Sequence, residues 1–169
     1  MKSSDADVFS RAVSDAASPD MEVRRAAEDV LAAEIVSSPD RIGDVIEAIR
    51  MGDVTSRWYL SRALIKAGDI MNGSDDLIVA LIGHAAGEED SEVLRYIGAV
   101  LASFGEKAVS PLISLFSLEN PKARGMAASA LERIGQPALE ELLAAAKSDN
   151  PSVRICAGLV LQKGGVYKY

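Results

Sequence analysis

Apolar residues recur at steps of three and four along most of the chain, the pattern of amphipathic α-helices. The pattern predicts helices over residues 7–17, 41–51, 75–86, 107–117 and 137–147. A second amphipathic segment follows each of them, so that the chain alternates between an A helix and a B helix. No stretch alternates polar and apolar residues between Asn-Gly or Asp-Gly turns, and no strand is predicted.

The B helices repeat one another in sequence. The segment Asn150–Leu161, NPSVRICAGLVL, is a near copy of Asn120–Leu131, NPKARGMAASAL. Aligning all five segments gives a common anchor position, occupied by Arg24, Arg57, Leu94, Arg124 and Arg154. Seven residues after the anchor, the five segments carry Leu31, Leu64, Leu101, Leu131 and Leu161. Repetition at spacings near 30 residues indicates a helical repeat protein.

Residues that cap helices stand four positions before each anchor. They are Asp20, Asp53, Asp90, Asn120 and Asn150. We expect each carboxylate or amide to cap its own B helix and to receive an arginine beside it, forming a structural ladder with Arg24, Arg57, Arg124 and Arg154. Gly105 and Gly135 follow B helices, where a left-handed C-cap favours glycine.

The segments DNPSVRICAGLVLQKGG and ENPKARGMAASALERIGQPALEELLAAAKSDN resemble the short HEAT-like repeats of phycobilisome lyases. The resemblance implies an all-α fold: a right-handed α-solenoid of about five helix pairs, one domain over residues 1–169. The repeats would span about residues 5–35, 40–68, 75–105, 106–135 and 136–165. The second repeat keeps only Asp53, Arg57 and Leu64 of the pattern, and the third has Leu94 at the anchor. Such solenoids mostly serve as protein-binding scaffolds, with the B helices on the concave side.

Composition and charge limit the functions open to the chain. The net charge of −7 opposes general binding to phosphate backbones. The acidity belongs to residues 1–105, with 10 basic and 19 acidic side chains, against 8 and 6 in residues 106–169. A lone cysteine, Cys156, and a first segment without the features of a signal peptide lead us to expect a cytoplasmic protein.

The candidate partner-binding residues lie on the B helices, off the apolar stripe. Trp58, Arg62 and Lys66 are expected near the centre of the binding face, with Arg25, Arg95 and Ile65 around them. Tryptophan beside arginine is typical of interface hot spots. Trp58 could equally pack between neighbouring B helices, because tryptophan is usually well buried. The expected partner is another protein.

Two other functions stay open at this point. A helical-repeat protein that binds DNA or RNA would use Arg57, Arg62, Lys66, Arg95, Arg124, Arg133 and Lys163. A regulatory or lyase-type subunit of an enzyme complex is what the name of the resembled repeat implies.

No enzyme, metal site or cofactor is expected. His84 has no second ligand at metal-binding spacing and serves better as a helix C-cap, and Cys156 has no base nearby in sequence. Phosphate-binding glycine loops and hydrolase or metalloprotease motifs are missing from the sequence. The tail GGVYKY (164–169) either folds over the last repeat or is disordered.

Overall fold

A computed structural model describes residues 2–73 and 75–164, with side chains from residue 8 onward. All regular structure in these ranges is helical, which confirms the all-α prediction. The α-helices are α1 (Lys2–Asp15), α2 (Met21–Ser37), α3 (Arg41–Met51), α4 (Val54–Ile70), α5 (Asp75–Gly87), α6 (Ser91–Ser103), α7 (Val109–Ser114), α8 (Pro121–Ile134), α9 (Leu139–Ala145) and α10 (Pro151–Lys163). They overlap the predicted A and B helices, although α7 and α9 are shorter than predicted and are each preceded by a 3₁₀ turn. Beyond Gly164, the C-terminal tail lies outside the described residues.

The chain forms two compact units, unit 1 (Met1–Leu77) and unit 2 (Ile78–Tyr169). In unit 1, α2 packs against α1 and α4, and α4 also packs against α3. In unit 2, α8 packs against α6, α7 and α10, and α10 also packs against α9. One solenoid domain over residues 1–169 stays a prediction.

The core of each unit is built on the leucine column. Leu31 and Leu64 in unit 1, and Leu101, Leu131 and Leu161 in unit 2, are all at most 2% exposed. Burying a leucine side chain stabilises a fold by roughly 1.5–3 kcal/mol. The repeated leucine is therefore the position through which each B helix is held to its neighbours.

Glycine ends α6 and α8 in the conformation that the sequence predicts. Gly105 and Gly135 have φ of 59° and 72°, which a side chain with Cβ disfavours. A short 3₁₀ turn follows each glycine, at Gly105–Ala108 and Gln136–Ala138, before α7 and α9 begin. Helix α7 starts at Val109 and places Pro111 in its first turn, where proline removes no helical hydrogen bond.

Side chains cap the N-termini of all five B helices. The caps are Asp20, Asp53, Asp90, Asn120 and Asn150. Their oxygens accept hydrogen bonds from N–H groups of the first helical turn, at 2.7 to 3.4 Å. The N–H groups of a first turn have no partner inside the helix, so these bonds fix where each B helix begins.

The anchor arginines Arg24 and Arg154 hydrogen-bond to carbonyls of the turn before their helix instead of to the caps, which corrects the expected ladder at these two positions. Arg24 Nη1 donates to the carbonyl oxygens of Ser18 (2.6 Å) and Pro19 (2.9 Å). Arg154 donates to the two carbonyls at the same places before α10, at 2.7 and 3.4 Å. The cap oxygens already accept N–H groups, whereas carbonyls that follow an A helix have no helical donor.

Arg57 and Arg124 vary the same contact. Arg57 Nε donates to the carbonyl oxygen of Ile49 at 2.9 Å, at the end of α3. Arg124 donates to Ser152 Oγ at 3.0 Å, and this hydroxyl donates to the carbonyl of Phe116 at 2.7 Å. The anchor thus joins each of these B helices to the end of an A helix, directly or through a hydroxyl.

Asn120 makes contacts that Asn150 does not. Its amide oxygen caps α8, while Nδ2 donates to the carbonyl oxygens of Ala86 (3.2 Å) and Glu88 (3.0 Å). Asn150 uses its amide oxygen as a cap and has no such donor bond among the described residues. We expect Asn120→Asp to lower the free energy of unfolding by about 1–2 kcal/mol, because two donor bonds are replaced by a carboxylate facing carbonyls.

The matched control is Asn150→Asp, which keeps its cap and should leave the stability within about 0.5 kcal/mol of wild type. Urea unfolding followed by far-ultraviolet circular dichroism measures both variants. Equal losses in the two variants would contradict a separate role for the Asn120 amide nitrogen.

Asp53 makes the stability depend on pH. A hydrogen bond from the Ser56 backbone N–H lowers the pKa of the Asp53 carboxyl below its ordinary value, and a hydrogen bond from the Ser56 hydroxyl lowers it further. Since the folded pKa is the lower one, the stabilisation is present above the unfolded pKa and disappears as pH falls below about 4. Thermal unfolding of wild type and Asp53→Asn between neutral and acid pH should show the wild type losing stability relative to the variant below that pH. A constant difference would contradict the assignment.

Candidate functional site

Charged and aromatic side chains follow one stripe of α4 and the facing stripe of α2 in unit 1. Steps of three and four residues place them on one side of each helix. We call this surface the α2–α4 face, made of Arg25, Glu28 and Asp29 on α2 and Trp58, Arg62, Ile65 and Lys66 on α4. Four of the six predicted partner-binding residues thus lie on one helix.

A bidentate ion pair crosses from α4 to α2. Arg62 Nε donates to Glu28 Oε2 at 2.7 Å, and Nη2 donates to Oε1 at 3.1 Å. The Glu28 side chain is only 7% exposed, whereas that of Arg62 is 48% exposed. The hydrogen bond with Glu28 raises the pKa of the Arg62 guanidinium above its usual value. A buried carboxylate needs such a partner, so Arg62 is held in one orientation.

A second pair lies one turn further along α4. Lys66 Nζ donates to the Asp29 carboxylate, and this bond raises the pKa of the Lys66 ammonium. Both side chains are well exposed, at 44% and 63%. Ile65 and Asp69 complete a shallow depression of about 390 Å³ around the two pairs. The depression is open, and the two ion pairs hold two cations at its edge.

Trp58 lies at the start of the same stripe and is 56% exposed. More than half of its surface is therefore accessible, in contrast to a tryptophan packed between helices. The neighbouring Tyr59 is half-buried, with the Arg24 guanidinium 5.1 Å from the centre of its ring. An accessible tryptophan beside oriented charges is a surface that can bury apolar area against a partner.

Arg25 and Arg95 make only local ion pairs. Arg25 contacts Glu22 at 3.4 Å on its own helix α2, with both side chains exposed. Arg95 belongs to α6 in unit 2, contacts Glu92 at 2.9 Å and lies 4.4 Å from the ring centre of Tyr96. These exposed ion pairs contribute little to the stability of the fold.

A groove between α6 and α8 in unit 2 was missed from the sequence. Its volume is about 280 Å³, and its lining includes Leu94, Gly98, Gly125, Met126, Ser129 and Arg133. We call it the α6–α8 groove. Two glycines inside predicted helices were the available signal, since glycine in a helix interior is unfavourable unless space or close approach requires it.

The remaining candidates for chemistry stay apart from one another. His84 lies exposed in the last turn of α5, and Cys156 lies half-buried in α10. Within residues 2–73 and 75–164, no three His, Cys, Asp or Glu side chains are grouped so that they could hold a metal ion. Over the same ranges, no helix has the length and apolar character needed to cross a membrane.

The fold and the repeated capping and leucine positions define an α-helical repeat protein. A family model for HEAT repeats matches residues 75–162, just over half of the chain. The chain therefore belongs to the HEAT repeat family, as the resemblance of its repeats implies. A comparison with curated proteins finds no match.

The two ion pairs of the α2–α4 face should differ in strength. A double-mutant cycle of Glu28→Ala and Arg62→Ala should give a coupling free energy of about 1–2 kcal/mol, because Glu28 is buried and bound by two hydrogen bonds. The neighbouring cycle of Asp29→Ala and Lys66→Ala is the control and should give a smaller coupling, since water screens both groups. Urea unfolding of the wild type, the four single variants and the two double variants supplies both coupling free energies. Equal values would contradict the assignment.

Proposed function

We propose that the protein is a non-catalytic scaffold that binds another protein through the α2–α4 face. The observation that carries this proposal is the exposed Trp58 on the same stripe of α4 as Arg62, Ile65 and Lys66. Tryptophan and arginine are the residues most enriched among interface hot spots. A partner that covers the indole would exclude water from the charged groups beside it.

The ion pairs of this face support binding by reducing its entropic cost. Glu28 and Asp29 already orient Arg62 and Lys66 in the unbound protein. Ordering a long side chain at an interface costs roughly 0.5–1.5 kcal/mol, and a side chain that is already ordered avoids much of it. The face therefore presents donors with known positions to a partner.

The charge of unit 1 supports a protein partner over a nucleic acid. Residues 1–77 hold 9 basic and 15 acidic side chains, a net charge of −6. The cations at the centre of the face are paired with carboxylates of α2, which oppose a phosphate in the same place. A partner with a basic surface around an apolar patch fits this charge.

The finer features of the family assignment are also proposals. Five capped B helices support five helix pairs, and the resemblance of the repeats is the basis for proposing a right-handed solenoid. A single half-buried cysteine supports a cytoplasmic protein. The lyase-type subunit is the alternative that the repeat subclass implies. A change in visible absorbance when a bilin is added would favour that alternative.

The proposal is tested by affinity capture from the source organism with wild type and Trp58→Glu as baits. We expect a protein that wild type retains and Trp58→Glu loses by at least about tenfold, because a hot-spot tryptophan contributes 2 kcal/mol or more. Met51→Glu is the control, since Met51 is 79% exposed on α3 and the substitution adds the same charge. Recovery by quantitative mass spectrometry measures the difference.

Two outcomes would oppose the proposal. Identical recovery with all three baits would place the binding surface away from Trp58. Retention that disappears after nuclease treatment would favour the nucleic-acid alternative, whose signature is a steep loss of binding with salt.

A further inference from the structure

The α2–α4 face and the α6–α8 groove occupy the same positions of the repeat. In α2 the fourth and fifth residues after the anchor are Glu28 and Asp29, whereas in α6 they are Gly98 and Ala99. The two carboxylates that cover the face in unit 1 are therefore replaced in unit 2 by residues without a polar side chain. Unit 2 has an apolar-floored groove at the positions where unit 1 has ion pairs.

The facing helix keeps one of its two cations. Nine residues after the anchor, α4 has Lys66 and α8 has Arg133; five residues after it, α4 has Arg62 and α8 has Ser129. Lys66 binds Asp29, but Arg133 has neither an ion-pair partner nor a hydrogen-bond partner among the described residues. Unit 2 therefore has a cation at the position of Lys66 but no carboxylate at the position of Asp29.

Gly98 determines the shape of the groove. A Cβ built at Gly98 would lie 2.9 Å from Cγ and 3.0 Å from Sδ of Met126, so the methionine occupies the space of the missing side chain. Leu94, Met126 and Ala130 are buried beneath the opening and form an apolar floor. The opposite wall is roomy, because a Cβ at Gly125 would meet no atom within 4 Å.

Two more cations stand at the rim, each with a local partner. Arg95 contacts the exposed Glu92 at 2.9 Å. Lys122 Nζ donates to the carbonyl oxygen of Glu89 at 2.6 Å and lies 3.5 Å from its carboxylate. Exposed pairs of this kind exchange partners at little cost, so both cations can turn to an incoming anion.

We propose that the α6–α8 groove binds an acidic peptide segment of a protein partner. One carboxylate of the segment pairs with Arg133, as Asp29 pairs with Lys66 in unit 1, and an apolar side chain of the segment covers Met126 and Leu94. Charge complementarity supports this occupant, because the groove has three cations at its rim and no acidic side chain in its lining. The proposal rests on the proposed protein-binding function but uses a surface of the other unit.

A nucleic acid fits the groove less well than a peptide. Phosphate backbones need several uncompensated cations in a row, and only Arg133 lacks a partner here among the described residues. An apolar floor also offers nothing to a sugar-phosphate chain. An acidic residue next to an apolar one satisfies both the cation and the floor.

The experiment selects a displayed library of random peptides on the full-length protein. We expect the bound peptides to be enriched in Asp or Glu close to an apolar residue. A labelled peptide from the selection is then titrated with wild type and variants, using fluorescence anisotropy. Its Glu→Gln or Asp→Asn form, and a labelled single-stranded oligonucleotide of similar length, are measured alongside.

Matched variants separate the groove from the rest of the fold. Gly125→Leu fills the groove, whereas Gly158→Leu adds the same side chain to α10, outside the groove lining, where a Cβ also meets no atom within 4 Å. Both changes replace a helical glycine, so both should preserve or raise the thermal stability. Arg133→Glu reverses the unpaired charge, and Lys147→Glu makes the same change at an exposed position outside the lining.

We expect Gly125→Leu and Arg133→Glu to weaken the peptide at least about tenfold, with Gly158→Leu and Lys147→Glu near wild type. Equal binding by all variants, selected peptides without acidic residues, or tighter binding of the oligonucleotide would each overturn the proposal. Loss of the peptide in Trp58→Glu with full binding in Gly125→Leu would also overturn it, while supporting the α2–α4 face. These outcomes separate an error in the proposed peptide site from an error in the proposed scaffold function.

Discussion

Burial of the leucine column is the constraint on which the rest of each unit depends. The five B helices are 13 to 17 residues long. Helices of about this length are marginal alone and need an apolar face covered by a neighbour. Once Leu31, Leu64 and their counterparts are buried, the rotation of every B helix about its axis is set. Positions at fixed distances from the anchor must then face one another, whether or not their side chains attract.

The equivalent facing positions carry different side chains in the two units. In unit 1 they hold Glu28 with Arg62 and Asp29 with Lys66, so that two ion pairs cross the surface between α2 and α4. In unit 2 they hold Gly98 with Ser129, and the surface between α6 and α8 is an open groove. Because the leucine column supplies the packing, the charged positions can vary without loss of the repeat. Variation at such positions lets one fold present chemically different surfaces.

The backbone of the structure could be predicted well from the sequence because its signals are local. A capping side chain and a periodic apolar stripe define each B helix within a few residues, and a glycine marks the end of α6, α8 and α10. Contacts between helices were harder to predict. The arginine column was assigned to the caps, since attraction of opposite charges is visible in sequence, whereas unsatisfied carbonyls at the end of an A helix are not. Arg24 binds those carbonyls.

The candidate site could be predicted only as a set of residues on the right helices. Trp58, Arg62, Ile65 and Lys66 follow helical spacing, so their common stripe was available from the sequence. The partner of Arg62 was not, because Glu28 lies 34 residues away and its choice depends on how α2 packs on α4. The only sequence signal for the α6–α8 groove is a pair of glycines inside helices, Gly98 and Gly125, and it does not show which helix lies opposite.

The amide of Asn120 couples helices that are not consecutive in the chain. One end of its side chain holds the first turn of α8, and the other holds the carbonyls of Ala86 and Glu88 where α5 ends. A displacement of the Asn120 side chain therefore breaks hydrogen bonds at both helix ends. In a one-dimensional model of repeat stability, the hydrogen bonds of this amide belong to the interaction energy between neighbouring repeats. It adds directional bonds to the apolar contacts that join repeats within unit 2.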